Sequence, residues 1–223
     1  MHTPGPESHI LSKEFFERDS VSVARDLLGK TIVSTAGGVA TSGRIVETEA
    51  YLGADDPGSH AATKGITKRN AVMYGPPGHA YVYFTYGNHH MLNLVTESDG
   101  VAGAVLVRAI EPVGGIDTMA QRRAAGRRSG RPLAIRDLAN GPGKLAAALG
   151  VGLGDNAGPL DGTATLVVRD APAPSERIVS SGRIGLSEGH ELELRFFLEG
   201  DPHVSTGRAG ARVVHRRQKK GRV

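Results

Sequence analysis

The 223-residue chain has no cysteine and no tryptophan, and only 4% of its residues are aromatic. Without cysteine, neither a disulfide framework nor a thiolate metal site can be built. That suits a reducing compartment. No stretch approaches the roughly 18 consecutive apolar residues of a membrane-spanning helix. The first residues also lack the charged-then-apolar pattern of a secretion signal. These absences predict a soluble cytoplasmic protein with no membrane partner. What remains is ordinary for a globular chain, with 39% hydrophobic and 22% charged residues. The length allows one large domain or two small ones, and 31 glycines promise many turns.

The few aromatic residues are unevenly placed. All five tyrosines (51, 74, 81, 83 and 86) fall between Arg44 and Arg108, and so do four of the nine histidines. A core would spread them, so the concentration points to a pocket that stacks something flat. Charge is clustered too. The net charge is only +4 and the pI about 9.5, yet five arginines crowd Arg122 to Arg131 and six Lys or Arg crowd Arg212 to Arg222. Clustered cations favour polyanions; the plainer reading is a solvated helix end and a loose tail.

Taken in order, residues 1–9 carry no apolar pattern and read as a flexible end. Ser20 to Leu28 reads as a helix capped by Ser20 and ended by Gly29. Strands follow over Lys30 to Ala36 and Val39 to Tyr51, joined by Gly37-Gly38. Period-two alternation places Ile45, Glu47, Glu49 and Tyr51 on one face, with Val46, Thr48 and Ala50 on the other. Two carboxylates on one sheet face are costly to bury unless something uses them. A long polar connection surrounds His60. Ala80 to Tyr86 and Met91 to Thr96 form a hairpin turning at Gly87-Asn88. Ala102 to Ile110 is an apolar strand carrying the lone charge Arg108. Helices are expected at Ile116 to Arg127 and Gly143 to Leu149, the latter opened by Pro142. Thr163 to Arg169, Ile178 to Ser181 and Glu191 to Leu198 read as further strands. No repeat or long linker divides the chain, and one α+β domain over residues 10–206 is the economical reading, followed by a basic tail, 207–223.

A carboxylate beside stacked aromatics can act as a general base toward water. An anion can also stabilise the oxocarbenium-like state through which glycosidic bonds break. The bland alternative for Glu49 is a salt bridge to Arg44 or Arg108. For His60 it is a loop histidine bonded to backbone, and for one of Tyr81 and Tyr83 it is ordinary sheet packing. No pair of histidines has the spacing of helical zinc sites.

Several motifs, in order, resemble the alkyladenine (3-methyladenine) DNA glycosylase family. They are Glu47 to Gly53, Tyr81-Val82-Tyr83 with Tyr86-Gly87, Asn93, Leu106 to Pro112, Asn140 to Leu145, Gly182 to Gly185, Leu194 to Phe197 and Pro202 to Ser205. The resemblance implies a compact single domain with a curved, mainly antiparallel sheet, surrounding helices, a protruding β-hairpin, and no metal or cofactor. It implies a monofunctional, monomeric enzyme of base-excision repair at the nucleoid. Such an enzyme flips a damaged purine (3-methyladenine, 7-methylguanine, hypoxanthine or ethenoadenine type) out of double-stranded DNA and leaves an abasic site. By that resemblance Glu49 activates the water and Arg108 helps to position it. Tyr51, His60 and Tyr83 line the base pocket, and Asn93 forms its floor against the 2-amino group of guanine. Tyr86 fills the gap left by the base, and Asn88, His89, Lys144 and Arg183 contact DNA. The physics is compatible: a duplex base must be extruded to be reached, and an alkylated purine is a cation that tyrosine faces attract. His89-His90 at the hairpin tip and His203 depart from the family pattern. No lysine adjoins the pocket motifs, so a lyase step is not expected. Two other classes compete. One is a DNA-bending protein without catalysis. The other is a metal-dependent nuclease using Glu47, Glu49, Asp55 and His60.

Overall fold

The computed structural model describes residues 8–62, 65–85, 89–125, 131–189 and 191–207. Its centre is β2 (Thr41–Tyr51), an eleven-residue strand. Along one edge β2 pairs with β5 (Ala104–Gly114). Its other edge is shared: the first half takes β1 (Thr31–Ser34), and Glu47 to Glu49 take β8 (Arg195–Leu198). Beyond these lie β4 (His89–Val95) and β3 (Ala80–Thr85) on the β5 side, β6 (Leu166–Arg169) next to β1, and β7 (Ile178–Ser181) next to β8. Every one of these pairings is antiparallel. The expected α+β class with a curved antiparallel sheet is what the chain adopts.

Short helices cover one face. They are α1 (Lys13–Phe16), α2 (Ser20–Asp26), α3 (Ile116–Ala124) and α4 (Pro142–Leu149). Phe16, Val23 and Leu27 from the first two, Met119 from α3, and Leu145 and Leu149 from α4 join Ile32, Ile45, Val46, Val107 and Ile110 of the sheet in the main core. Each such side chain contributes about 1.5–3 kcal/mol by leaving water. A second, smaller cluster (Ala61, Met73, Tyr81, Val95, Ala102, Ala104) sits apart, with Tyr51, Val72, Tyr74 and Tyr83 packed against it. Four of the five tyrosines gather in this second cluster.

Several expectations need correction. Asp19, not Ser20, caps α2, accepting a hydrogen bond from the Ser22 N–H at 2.8 Å. Ser20 instead engages Thr96 and Glu97. Strand β5 does not stop at Ile110 but runs to Gly114. Strands β1, β6 and β8 are each shorter than the apolar stretch that predicted them. The simple alternation in β2 also fails at one place. Ile45 faces Ile110, Glu47 faces Ala109, and Thr48 faces Val107, so Val46 is an extra residue in β2 and Arg108 an extra residue in β5. Two adjacent bulges result, the kind of irregularity that re-aims side chains. Hence Ile45 joins Val46 in the core rather than sharing a face with Glu47. The hairpin tip 86–88, the arginine loop 126–130 and the tail beyond 207 lie outside the described residues.

Candidate active site

Beyond the bulges, alternation resumes and sends Glu47, Glu49 and Tyr51 away from the main core. Glu49 has no exposed surface. Its Oε1 accepts from the Ile184 N–H at 2.7 Å and stands 3.2 Å from Arg108 Nη1. Among the described residues its Oε2 accepts only from the Tyr51 hydroxyl, at 2.8 Å. Oε2 therefore keeps one acceptor position free. The bland alternative is realised alongside: Glu49 does pair with Arg108, while Arg44 is engaged elsewhere by Glu111, Glu176 and Asp201. Burial, with the Glu49 charge beside it, pushes the Tyr51 phenol well above its ordinary range, so Tyr51 stays a donor.

Tyr51 also forms one wall of a narrow cleft of about 50 Å³, lined with Gly58, His60, Met73, Tyr81, Tyr83, Asn93 and Leu186. That is far below the roughly 300 Å³ at which ligand pockets begin, so the lining side chains must part before a ring system enters. Glu49 does not line the cleft; the Tyr51 hydroxyl connects them. The His60 ring stands edge-on to Tyr83, centroids 4.7 Å apart. His60 Nδ1 lies 3.0 Å from the Tyr81 hydroxyl. Burial and the nearby Arg69 guanidinium push His60 below its usual range, leaving it neutral at pH 7. Burial raises both Tyr81, to about 12, and Tyr83. Asn93 is buried and donates from Nδ2 to the Tyr81 carbonyl at 3.0 Å. The arrangement thus unites Glu49, Arg108, Tyr51, His60, Tyr83 and Asn93 in one place.

The residues expected to touch DNA divide differently. Tyr86 and Asn88 fall outside the described residues. His89, exposed at the start of β4, abuts the first turn of α4. A side chain at Gly143 would meet His89 Cβ at 2.7 Å, so only glycine permits this approach. Lys144, one residue on, donates to Asn140 Oδ1 at 2.7 Å. Arg183 is a correction. It is wholly buried and grips Asp56 through Nη1 and Nη2, at 2.6 and 2.5 Å. Its guanidinium carbon lies 4.7 Å from the Tyr51 ring centre. A phosphate could not reach it; Arg183 backs Tyr51 and ties down the loop through Asp56.

Sequence reasoning missed Asp56, Arg69, Arg195 and Ser205. Arg69 lies 4.9 Å over the Tyr83 ring. Arg195 and Ser205 both reach Glu47. Arg195 was within reach, since Glu191 to Leu198 reads as a strand whose only cation is followed by Phe196 and Phe197. Asp56 and Arg69 sit in irregular loop without a periodic signal. The nuclease constellation does not assemble: Glu47 is taken by two arginines and His60 by Tyr81, and among the described residues no three His, Asp or Glu stand close enough to share a cation. A roomier groove of about 540 Å³ lies between α1, α2 and Asp170. Arg18 is paired there with Asp26 and Lys30 with Asp170, and Arg25 lies over the Phe196 ring.

Comparison with known proteins agrees with the geometry. Residues 14–202 match the family model described as Methylpurine-DNA glycosylase. A protein of Chlorobaculum parvum is 47% identical over 212 residues, covering 94% of this chain and 97% of that one. One from Methanoculleus marisnigri is 48% identical over 200 residues, covering 87% and 98%. One from Koribacter versatilis is 43% identical over 197 residues, covering 87% and 92%. All three carry the name "Putative 3-methyladenine DNA glycosylase". A buried carboxylate behind an aromatic cleft, and a family match along most of the chain, lead to one assignment: the chain belongs to the methylpurine-DNA glycosylase family, enzymes that hydrolyse the N-glycosidic bond of a damaged base in DNA.

Proposed function

We propose that the chain flips a damaged purine out of duplex DNA into the cleft of Tyr51, His60 and Tyr83, and that Glu49 activates the water that releases it. The observation that carries this reading is the Tyr51 hydroxyl, which joins the aromatic cleft to a buried carboxylate. The extruded base stacks against the tyrosines, and an alkylated, cationic base gains ~0.5–2 kcal/mol from their faces. Tyr86 occupies the vacated stack, at an unstacking cost of a few kcal/mol for the duplex. Because Glu49 has no surface in the free protein, the water arrives with the nucleotide and takes the spare acceptor position of Oε2. Its proton passes to Glu49 and its oxygen bonds to C1′. The C1′–N bond breaks, and its electron pair leaves with the base. Arg108 steadies the carboxylate, and Asn93 closes the cleft at its base. A cationic base is already a good leaving group, so one carboxylate serves where other glycosidases use two.

The test is release of free base from duplexes that each carry one defined lesion: 3-methyladenine, 7-methylguanine, hypoxanthine or ethenoadenine. Release of at least one, with an abasic strand as co-product and unchanged by EDTA, is expected. A chain that binds these duplexes but releases nothing would be a DNA-bending protein instead.

A further inference from the structure

Glu47, two residues from Glu49, has no part in the chemistry above. It is as fully buried as Glu49 and is the most heavily bonded carboxylate of the sheet. Its Oε1 accepts from Arg108 Nε at 2.9 Å, Arg195 Nε at 2.6 Å and the Ser205 hydroxyl at 2.9 Å. Its Oε2 accepts from the Ser205 N–H at 2.7 Å. Although burial opposes ionisation, Arg108 and Arg195 outweigh it and hold Glu47 below the usual carboxylate range. The four buried charges, Glu47 and Glu49 against Arg108 and Arg195, cancel.

The decisive geometry is that of Arg108. All three guanidinium nitrogens are committed: Nε to Glu47, Nη2 to the Ser205 hydroxyl at 3.5 Å, and Nη1 to Glu49 at 3.2 Å. A guanidinium is planar, so fixing Nε and Nη2 fixes where Nη1 points. The two bulges supply the rest. Val46 as an extra residue keeps Ile45 in the core while Glu47 takes the face of Glu49, and Arg108 as an extra residue brings its side chain to that same face. Glu47 is bonded to Arg108, Arg195 and Ser205 and, unlike Glu49, has no hydroxyl joining it to the aromatic cleft.

We infer that Glu47, braced by Arg195 and Ser205, is a positioning residue that holds Arg108 against Glu49 for water activation. It rests on the assignment of Glu49 and Arg108 above. Misplacing a catalytic group by about 1 Å typically costs about 10²-fold.

A double-mutant cycle on single-turnover excision tests it, because residues acting through one another are not additive. Glu47→Gln is expected to slow the full-length chain by about 10- to 100-fold, with lesion-DNA affinity unchanged. In an Arg108→Gln background the same change should cost less than about threefold. Arg44→Gln is the control. It breaks a comparable ion cluster on the same strand and should lower the melting temperature at an unchanged rate. If Glu47→Gln does not fold, Ser205→Ala keeps every charge and removes both hydroxyl contacts. It should slow excision severalfold, but not in the Arg108→Gln background. A Glu47→Gln loss carried undiminished into Arg108→Gln, or a Ser205→Ala chain at full rate, overturns the inference. Arg108→Gln at wild-type rate would instead bring down the assignment of Arg108 on which it rests.

Discussion

Glu49→Gln separates chemistry from scaffolding. The substitution preserves shape, and the amide oxygen can still accept from the Ile184 N–H and Arg108. The amide NH₂ then faces the Tyr51 hydroxyl, which must turn from donor to acceptor. Electrostatically, the buried set of two carboxylates and two guanidiniums loses one negative charge and is left at +1. Arg108 keeps Glu47, so the stability cost is that of one weakened charged hydrogen bond, about 1.5–3 kcal/mol. For a chain of this size that is a melting temperature lower by roughly 3–12 °C. The protein is therefore expected to stay folded at 25 °C. The chemical cost is larger. A glutamine cannot take the water's proton, and loss of a general base slows a reaction by about 10²–10⁴, or about 2.7–5.5 kcal/mol of barrier. The measurement is single-turnover excision of one lesion from a duplex, with affinity for the same duplex measured in parallel. Excision should collapse while affinity holds within a few-fold. A folded Glu49→Gln chain excising within about threefold of wild type would refute the assignment of Glu49 as the base.

Asp56→Asn should be severely destabilising without touching DNA. It strands the buried Arg183, at a cost of about 3–5 kcal/mol, or roughly 6–20 °C in melting temperature; a shift below about 2 °C would remove Arg183 from its structural role. Burial opposes ionisation of Asp56 and Glu47, yet their arginines hold both below the ordinary carboxylate range. The stability they bring is thus complete above about pH 4.5 and lost as pH falls through the lower folded values, so acid melts of Asp56→Asn should depend less steeply on pH. Burial raises Tyr51, Tyr81 and Tyr83, and phenolate absorbance near 295 nm at pH 10.5 should be missing for these three until the chain unfolds. Stability should fall as pH rises past about 10, where the unfolded chain first sheds those protons. Tyr86→Ser should slow excision from a well-paired duplex by the ~1–3 kcal/mol of lost aromatic–base stacking, and much less when the same lesion is single-stranded. Equal losses in both contexts would give Tyr86 another task.

Local signals in the sequence reached some parts of this molecule and stopped short of others. The β-branched alternation of β1, the apolar run of β5, the proline opening α4 and the glycine after α2 are all short-range features, and each predicted its element. Alternation correctly paired Glu47 with Glu49 and Tyr51. It failed at Ile45 because a bulge is a property of two strands at once: nothing in Ile45-Val46-Glu47 announces that Arg108, more than sixty residues on, will also be unpaired. The same limit applies to partners. Arg183 lies in a recognisable motif, but its motif does not say that Asp56 waits 127 residues earlier to bury it. Clustering of tyrosines located the cleft because composition survives folding. That Glu49 meets the cleft only through the Tyr51 hydroxyl depends on side-chain rotamers, which no spacing rule encodes.

The paired bulges also bear on how this chain can change length. An extra residue in β2 and another in β5 cancel, so the ladder from Thr48 to Tyr51 continues in step with Val107 to Ala104. Loss of Val46 alone would restore strict alternation in β2, with Ile45 still in the core and Glu47 still beside Glu49, and would leave the extra residue of β5 as a one-sided bulge. Loss of Arg108 alone would leave Val46 as the one-sided bulge and discard the guanidinium in the act. A one-sided bulge bends and twists its own strand against the partner, so either loss would change the aim of the side chains that follow rather than the face they occupy.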